Sequence, residues 1–187
     1  RQIGCEDPAA GALPRGWDRA SGAGRADGRH VGPTGGRHPD GSPRFDQPVP
    51  PGGYLWWYVD ALSDDGQHGL TIIAFVGSVF SPYYALARSL GGGVADPDNF
   101  CALNVALYGK SGRRWTMTER GRSHTERSAN HFKIGPSCLR WDGQALTIDI
   151  DEINVPWPMR VRGRVTVRPA GLCQFVTPLD NMGRHRW

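Results

Sequence analysis

The sequence predicts an all-β protein, an antiparallel sandwich or barrel behind a Gly/Arg-rich N-terminal tail. Three observations carry that expectation. From Tyr54 onward, short runs that are apolar or alternate apolar with polar follow one another. Clusters of turn formers, SDDGQHG, GGGVADPDN, GKSG and WDGQ, separate them. Helical periodicity is nearly absent. Many short strands at regular spacing with turn signals between them are the mark of a sandwich or barrel. A chain of 187 residues suffices for one domain with a sizeable core.

Residues 1–44 are Gly, Pro, Arg, Ala and Asp with almost no large apolar side chain, as in GRADGRHVGPTGGRHPDGSPR. Such a stretch cannot offset its ordering entropy and reads as disordered. Trp17 is its single aromatic, which favours a solvated segment over an RNA-binding one. Residues 45–187 form the domain. Its strands are expected at Tyr54 to Val59, Gly69 to Phe80, Cys101 to Tyr108, Arg114 to Glu119, His131 to Ile134, Cys138 to Trp141, Ala145 to Ile153, Arg160 to Arg168 and Cys173 to Thr177. One short helix is expected around Tyr83 to Leu90. In the pair 145–153 and 160–168, Leu146, Ile148 and Ile150 face one way, and so do Val161, Val165 and Val167. The other faces carry Asp149 and Asp151, and Arg160, Arg162, Arg164 and Arg168. An acidic row beside a basic row fixes register across a hairpin, so the two aspartates read as structural rather than catalytic.

Composition excludes several functions. The net charge of +4 is dispersed, with lysine only at Lys110 and Lys133, and does not describe a nucleic-acid binder. Cys5, Cys101, Cys138 and Cys173 form no Cys-x-x-Cys pair and have no histidine at ligand spacing, so neither a zinc site nor any other metal site is expected. Strand-like surroundings suit them as small buried hydrophobes in a reducing compartment. The run Leu70 to Val76 is too short to span a bilayer as a helix, and residues 1–44 lack the basic-then-apolar layout of a secretory signal. GKS at 109–111 is not a phosphate loop: Asn104 stands where its first glycine would be, and strand-like RRWTMTE follows instead of a helix. GPSCL and VGSVF do not complete Gly-x-Ser-x-Gly, and no His-Glu-x-x-His occurs.

Aromatic density is what remains unexplained. YLWWYVDALSDDG places Tyr54, Trp56, Trp57 and Tyr58 just before Asp60, Asp64 and Asp65; VFSPYYALARSL adds Phe80, Tyr83 and Tyr84. Any single ring is better explained as core, but together they suggest an apolar ligand cavity or a rim resting on a membrane. Asp64 and Asp65 fit the turn SDDG, which leaves Asp60 as the acid next to the rings.

The blocks GGYLWWYVDALSDDG, LTIIAFVGSVFSPYY, NFCALNVALYG, WTMTERG, IGPSCLRWDG, LTIDIDEI and GRHRW occur in an order that closely resembles the carotenoid 1,2-hydratases (hydroxyneurosporene synthases) of purple photosynthetic bacteria. The resemblance runs from about Phe45 to Trp187. It implies a lipocalin-like β-barrel or sandwich and a cofactor-free addition of water to the C1–C2 double bond of an acyclic carotene such as neurosporene or lycopene. It further implies a cytoplasmic protein held peripherally at the inner photosynthetic membrane, without nucleic acid. The family's His-x-Trp motif corresponds to His185-Arg186-Trp187, where His185 would position or deprotonate water and Trp187 would face a cation. Family members continue into a Tyr-x-Asp motif whose aspartate is the leading acid. The chain is therefore expected to be a C-terminally truncated hydratase, with the isolated piece inactive.

The chemistry matches these residue types. Protonating an alkene needs a placed acid and creates a tertiary carbocation, which ring faces stabilise without capturing. Within this chain the candidate catalytic residues are His185, Trp187 and Asp60, and the candidate substrate walls are Trp56, Trp57, Tyr58, Phe80, Tyr83 and Tyr84. The competing expectation is a non-catalytic lipocalin-like module that binds a carotenoid or lipid.

Overall fold

The computed structural model describes residues 37–91, 94–110 and 112–173, together with the strands Gln2–Ile3, Gly22–Ala26 and His185–Arg186. In chain order the strands are β1 (Gln2–Ile3), β2 (Gly22–Ala26), β3 (Leu55–Leu62), β4 (Gly69–Val76), β5 (Cys101–Tyr108), β6 (Arg114–Arg120), β7 (Thr125–Ser128), β8 (His131–Ile134), β9 (Ser137–Trp141), β10 (Leu146–Ile153), β11 (Arg160–Pro169) and β12 (His185–Arg186). Helix α1 spans Pro82–Leu90. The strands form two six-stranded sheets, ordered β1-β11-β10-β9-β8-β7 and β12-β2-β3-β4-β5-β6. Every pairing is antiparallel except β1 with β11. This is the expected all-β class, realised as a sandwich. At one edge the sheets meet through a Thr116–Asn154 bridge, where the Trp115 amide donates to Asn154 Oδ1 at 2.9 Å.

Alternation builds the core. Leu55, Trp57 and Val59 of β3, Ile72, Ala74 and Val76 of β4, and Cys101, Leu103 and Val105 of β5 point inward. From the other sheet they meet Phe132, Ile134, Leu139, Ile148 and Ile150, with Phe45 inserted beside Trp57. The predicted charge rows set the β10–β11 register: Asp149 lies opposite Arg164 and Asp151 opposite Arg162. Asp149 pairs with Arg164 at 2.5 Å and Arg140 at 2.8 Å, and Asp151 with Arg160 at 2.7 Å and Arg162 at 3.1 Å.

Four details differ from the sequence expectation. Strand β3 continues past Val59 to Leu62, which brings Asp60 into it. The apolar run from Gly69 leaves its strand at Val76, because Gly77 turns the chain at φ +69. A Cβ there would stand 2.5 Å from the Gly53 carbonyl oxygen, so glycine is required twice over. Ser81 caps α1 by accepting from the Tyr84 amide at 3.0 Å, with Pro82 opening the helix. Strand β7, whose TERS carries no large apolar residue, was not anticipated; it pairs with β8 as an edge. Two short strands, β1 and β2, fall within the Gly/Arg-rich stretch, and β2 pairs with β3. The expected strand from Cys173 to Thr177 lies, after Cys173, outside the described residues.

Candidate active site

The second sheet has two useful faces. Its inner face is spent on the core; its outer face carries the alternate residues, and the register assembles them into rows across four strands. Tyr58, Ile73, Asn104 and Met117 form one row, and Asp60, Thr71, Ala106 and Trp115 the next. A groove of about 300 Å³ runs over these rows, lined by Tyr58, Thr71, Ile73, Phe80, Asn104, Ala106, Tyr108 and Trp115. That volume lies at the small end for ligand pockets, which span about 300–1,000 Å³.

A polar cluster sits at its floor. Tyr58 Oη donates to Asp60 Oδ2, as residues two apart on one strand face can. Thr71 Oγ1 donates to Asp60 Oδ1 at 2.5 Å from the neighbouring strand. Burial, then the hydrogen bond to Asp60, holds the Tyr58 phenol well above its usual range, so it keeps its proton. Both Asp60 oxygens thus accept from hydroxyls next to aromatic rings. Such a cluster can exchange a proton with a bound apolar ligand. A second outer-face carboxylate, Glu119, pairs in register with Ala102, three strands across from β3. Three strand spacings amount to about 14 Å, too far for Glu119 and Asp60 to act on one carbon.

The sequence-predicted residues divide by face. Tyr58 and Phe80 line the groove together with the Asp60 cluster. Trp56 shares their side of β3, stacked on Tyr54 at 4.7 Å and edge-on to Phe75. Trp57 lies on the opposite face of β3, 5% exposed, against Phe45 and Phe132 in the core; one step along a strand reverses the side chain. Tyr84 is buried beneath α1 against Phe100, its hydroxyl donating to the Gly53 carbonyl at 2.5 Å, whereas Tyr83 projects from the helix into solvent. His185 belongs to β12, opposite Ala26 of β2. Trp187 lies outside the described residues. Thr71, Asn104, Tyr108 and Trp115 were missed. A signal existed for two of them: Thr71 and Asn104 are polar interruptions in GLTIIAFV and CALNVALY, strands otherwise apolar on both faces.

A fully buried acid lies away from the groove. Glu152 continues the inward series Leu146, Ile148, Ile150 and is 1% exposed. Ser137 Oγ donates to Glu152 Oε1 at 2.8 Å, and Arg120 lies 3.5 Å from Oε2. Burial pushes its carboxyl up, against the opposing pull of Ser137, Thr118 and Arg120. Burial likewise pushes the Cys101 thiol up to about 12; Cys101, Cys138 and Cys173 are free, and Cys5 lies outside the described residues.

Fold and groove together define an antiparallel β-sandwich that offers an aromatic, acid-bearing cleft on the outer face of one sheet. Residues 72–187 match the family described as carotenoid hydratase CrtC, and the chain belongs to that family. The acyclic carotenoid 1,2-hydratase of Rubrivivax gelatinosus is 68% identical over 182 residues, 97% of this chain and 45% of that protein. The protein of the same name from Thiocapsa roseopersicina is 60% identical, over 95% of this chain and 44% of its own length. That of Cereibacter sphaeroides is 40% identical over 62% of this chain. The chain thus spans less than half the length of these relatives. No solved structure matches it.

Proposed function

We propose that the protein hydrates the C1–C2 double bond of an acyclic carotene, of the neurosporene or lycopene type, as part of a carotenoid 1,2-hydratase. The observation that carries this is the match along nearly the whole chain to proteins named acyclic carotenoid 1,2-hydratase. The groove supports it, because its volume suits the end of a long hydrocarbon and its walls carry rings together with Tyr58 and Thr71, whose hydroxyls both bond to the Asp60 carboxyl behind them.

The reaction balances without a cofactor. The alkene π pair takes a proton at C2 and leaves a tertiary cation at C1. A water lone pair then forms the C1–O bond, and the oxonium loses a proton, so one water is added and the acid is restored. Within this chain Asp60 is the acid, held by Tyr58 and Thr71. Trp56, Tyr58 and Phe80 are the walls, with Tyr83 at the rim, and their ring faces attract the cation. Trp57 and Tyr84 act at one remove, by fixing β3 and α1. By register His185 lies two strands from β3, beyond its Trp56 end, so within this chain the water's proton returns to the Asp60 carboxylate. His185 and Trp187 keep the water-orienting and cation-facing roles only as what the family's His-x-Trp motif implies. The substrate dissolves in membranes, so the protein works peripherally on the cytoplasmic side; no helix among the described residues is long and apolar enough to cross a bilayer.

The test is to express the full-length gene in a carotene-producing bacterium and weigh the extracted pigments by mass spectrometry. Pigments heavier by one water are expected. Bound but unchanged pigment would instead identify a carotenoid-binding module.

A further inference from the structure

The turn GKSGRR, which fails as a phosphate loop, closes the β5–β6 hairpin at one end of the groove. Tyr108 and Trp115 bracket this turn, line the groove, and remain 41% and 44% exposed. Between them Lys110, Arg113 and Arg114 are all exposed. None of the three makes an ion pair with a described carboxylate, whereas Arg120, Arg122, Arg127, Arg140, Arg160, Arg162 and Arg164 all do. Leu62, 58% exposed, ends β3 on the same side of the sheet. The neighbouring β3–β4 turn touches this tip: a Cβ on Gly109 would stand 2.4 Å from the His68 ring. That turn carries Asp64 and Asp65, the latter tied to Ser63 at 2.5 Å and to the Gln67 amide. Three cations against two carboxylates leave the tip positive.

Exposed Tyr and Trp beside unpaired Lys and Arg is the arrangement that settles at a bilayer interface, rings at headgroup level and cations on anionic lipid. We propose that the β5–β6 tip is a membrane-docking element, in which Lys110, Arg113 and Arg114 hold anionic phospholipid headgroups while Tyr108 and Trp115 set the groove mouth at the hydrocarbon boundary. A membrane-dissolved ligand then enters the groove without crossing water. The inference rests on the hydratase reading only for the nature of that ligand; the docking itself rests on the tip.

Sedimentation of the full-length protein with vesicles tests it, using phosphatidylcholine alone or mixed with phosphatidylglycerol. Binding is expected to the mixed vesicles only and to fade as salt rises. At about fivefold per cation, the K110Q/R113Q/R114Q variant should bind about a hundredfold more weakly, and D64N/D65N should bind more tightly. Circular dichroism confirms that the variants fold. Equal binding by the triple variant, equal binding to neutral vesicles, no binding at all, or displacement by inorganic phosphate at matched ionic strength would each overturn the proposal. Hydration of carotene dispersed in neutral detergent separates the two readings. The triple variant keeps that activity if docking alone is lost, and a protein that docks but never hydrates refutes the function and not the surface.

Discussion

Trp56 and Trp57 are chemically identical neighbours, and the fold assigns them opposite work, so truncating each in turn should give very different losses. Trp57 is 5% exposed, with its ring centroid 5.1 Å from Phe45 and 5.4 Å from Phe132. A buried tryptophan removes about 200 Å² from water. At about 25 cal/mol per Å² that is about 5 kcal/mol, an upper bound because unfolded chains already bury part of it. Trp57→Ala should therefore cost about 3–5 kcal/mol, as core truncations of large aromatics do. That is a large share of the stability of a typical domain, about 5–15 kcal/mol. Trp56→Ala loses the stack on Tyr54, planes 7° apart, and only part of its area. Its cost should be about 1–2 kcal/mol, of which stacking supplies about 0.5–1.5. Urea unfolding followed by far-UV circular dichroism reads both, with an unchanged m-value expected. Equal losses, or a larger loss for Trp56→Ala, would refute the division of β3 into a core face and a groove face.

Asp60→Asn keeps the shape of the polar floor but removes the transferable proton. Hydration of detergent-dispersed carotene should fall about 10²- to 10⁴-fold with the thermal midpoint nearly unchanged, and unaltered turnover would remove Asp60 from the chemistry. Because burial raises the Glu152 carboxyl, the folded protein holds that proton more tightly than the unfolded chain does. The resulting stability is complete below the ordinary Glu value of 4.5 and is lost as pH rises through the raised one. Glu152→Gln should accordingly gain on the parent protein as pH climbs through that window, and a pH-independent difference in denaturation midpoints would contradict the assignment. Hydrogen bonds from Arg164 and Arg160 lower the Asp149 and Asp151 carboxyls, so their contribution is present above the ordinary 3.8 and lost as pH falls. An Asp149→Asn, Asp151→Asn double variant should have a shallower acid limb in its stability profile, and added salt should shrink its difference from the parent at neutral pH; an identical acid limb would mean that the rows fix register only.

Much of this fold is written in short-range patterns. The β10–β11 register follows from the alternation of Asp149 and Asp151 against Arg160, Arg162 and Arg164, because a slip of one residue would put charges in the core. The extent of α1 follows from Ser81 and Pro82 before an otherwise unpunctuated stretch. Glu152 is the next inward step after Leu146, Ile148 and Ile150, but the series expected from the sequence stops at Ile150, because a charged residue invites the opposite assignment. Strand β7 was not legible, since TERS forms only because β8 offers it a ladder.

The candidate site shows where local pattern stops. Sequence alone determined that β3 is a strand with a ring on either side, because side chains alternate with a period of two whatever surrounds them; that the strand runs past Val59 and so puts Asp60 on Tyr58's face came from the structure. Sequence also determined that the Asp64-Asp65 turn is separate from Asp60. It did not determine which ring faces the core, since both faces of β3 are aromatic and β4 and β5 are apolar on both faces apart from Thr71 and Asn104. Only the tertiary structure decided that. The second sheet covers the face bearing Trp57, and the cross-strand register brings Thr71, Asn104 and Trp115 beside Tyr58 and Asp60 on the other. Which face is covered depends on residues more than seventy positions away in the chain, such as Phe132, and no local pattern carries that information.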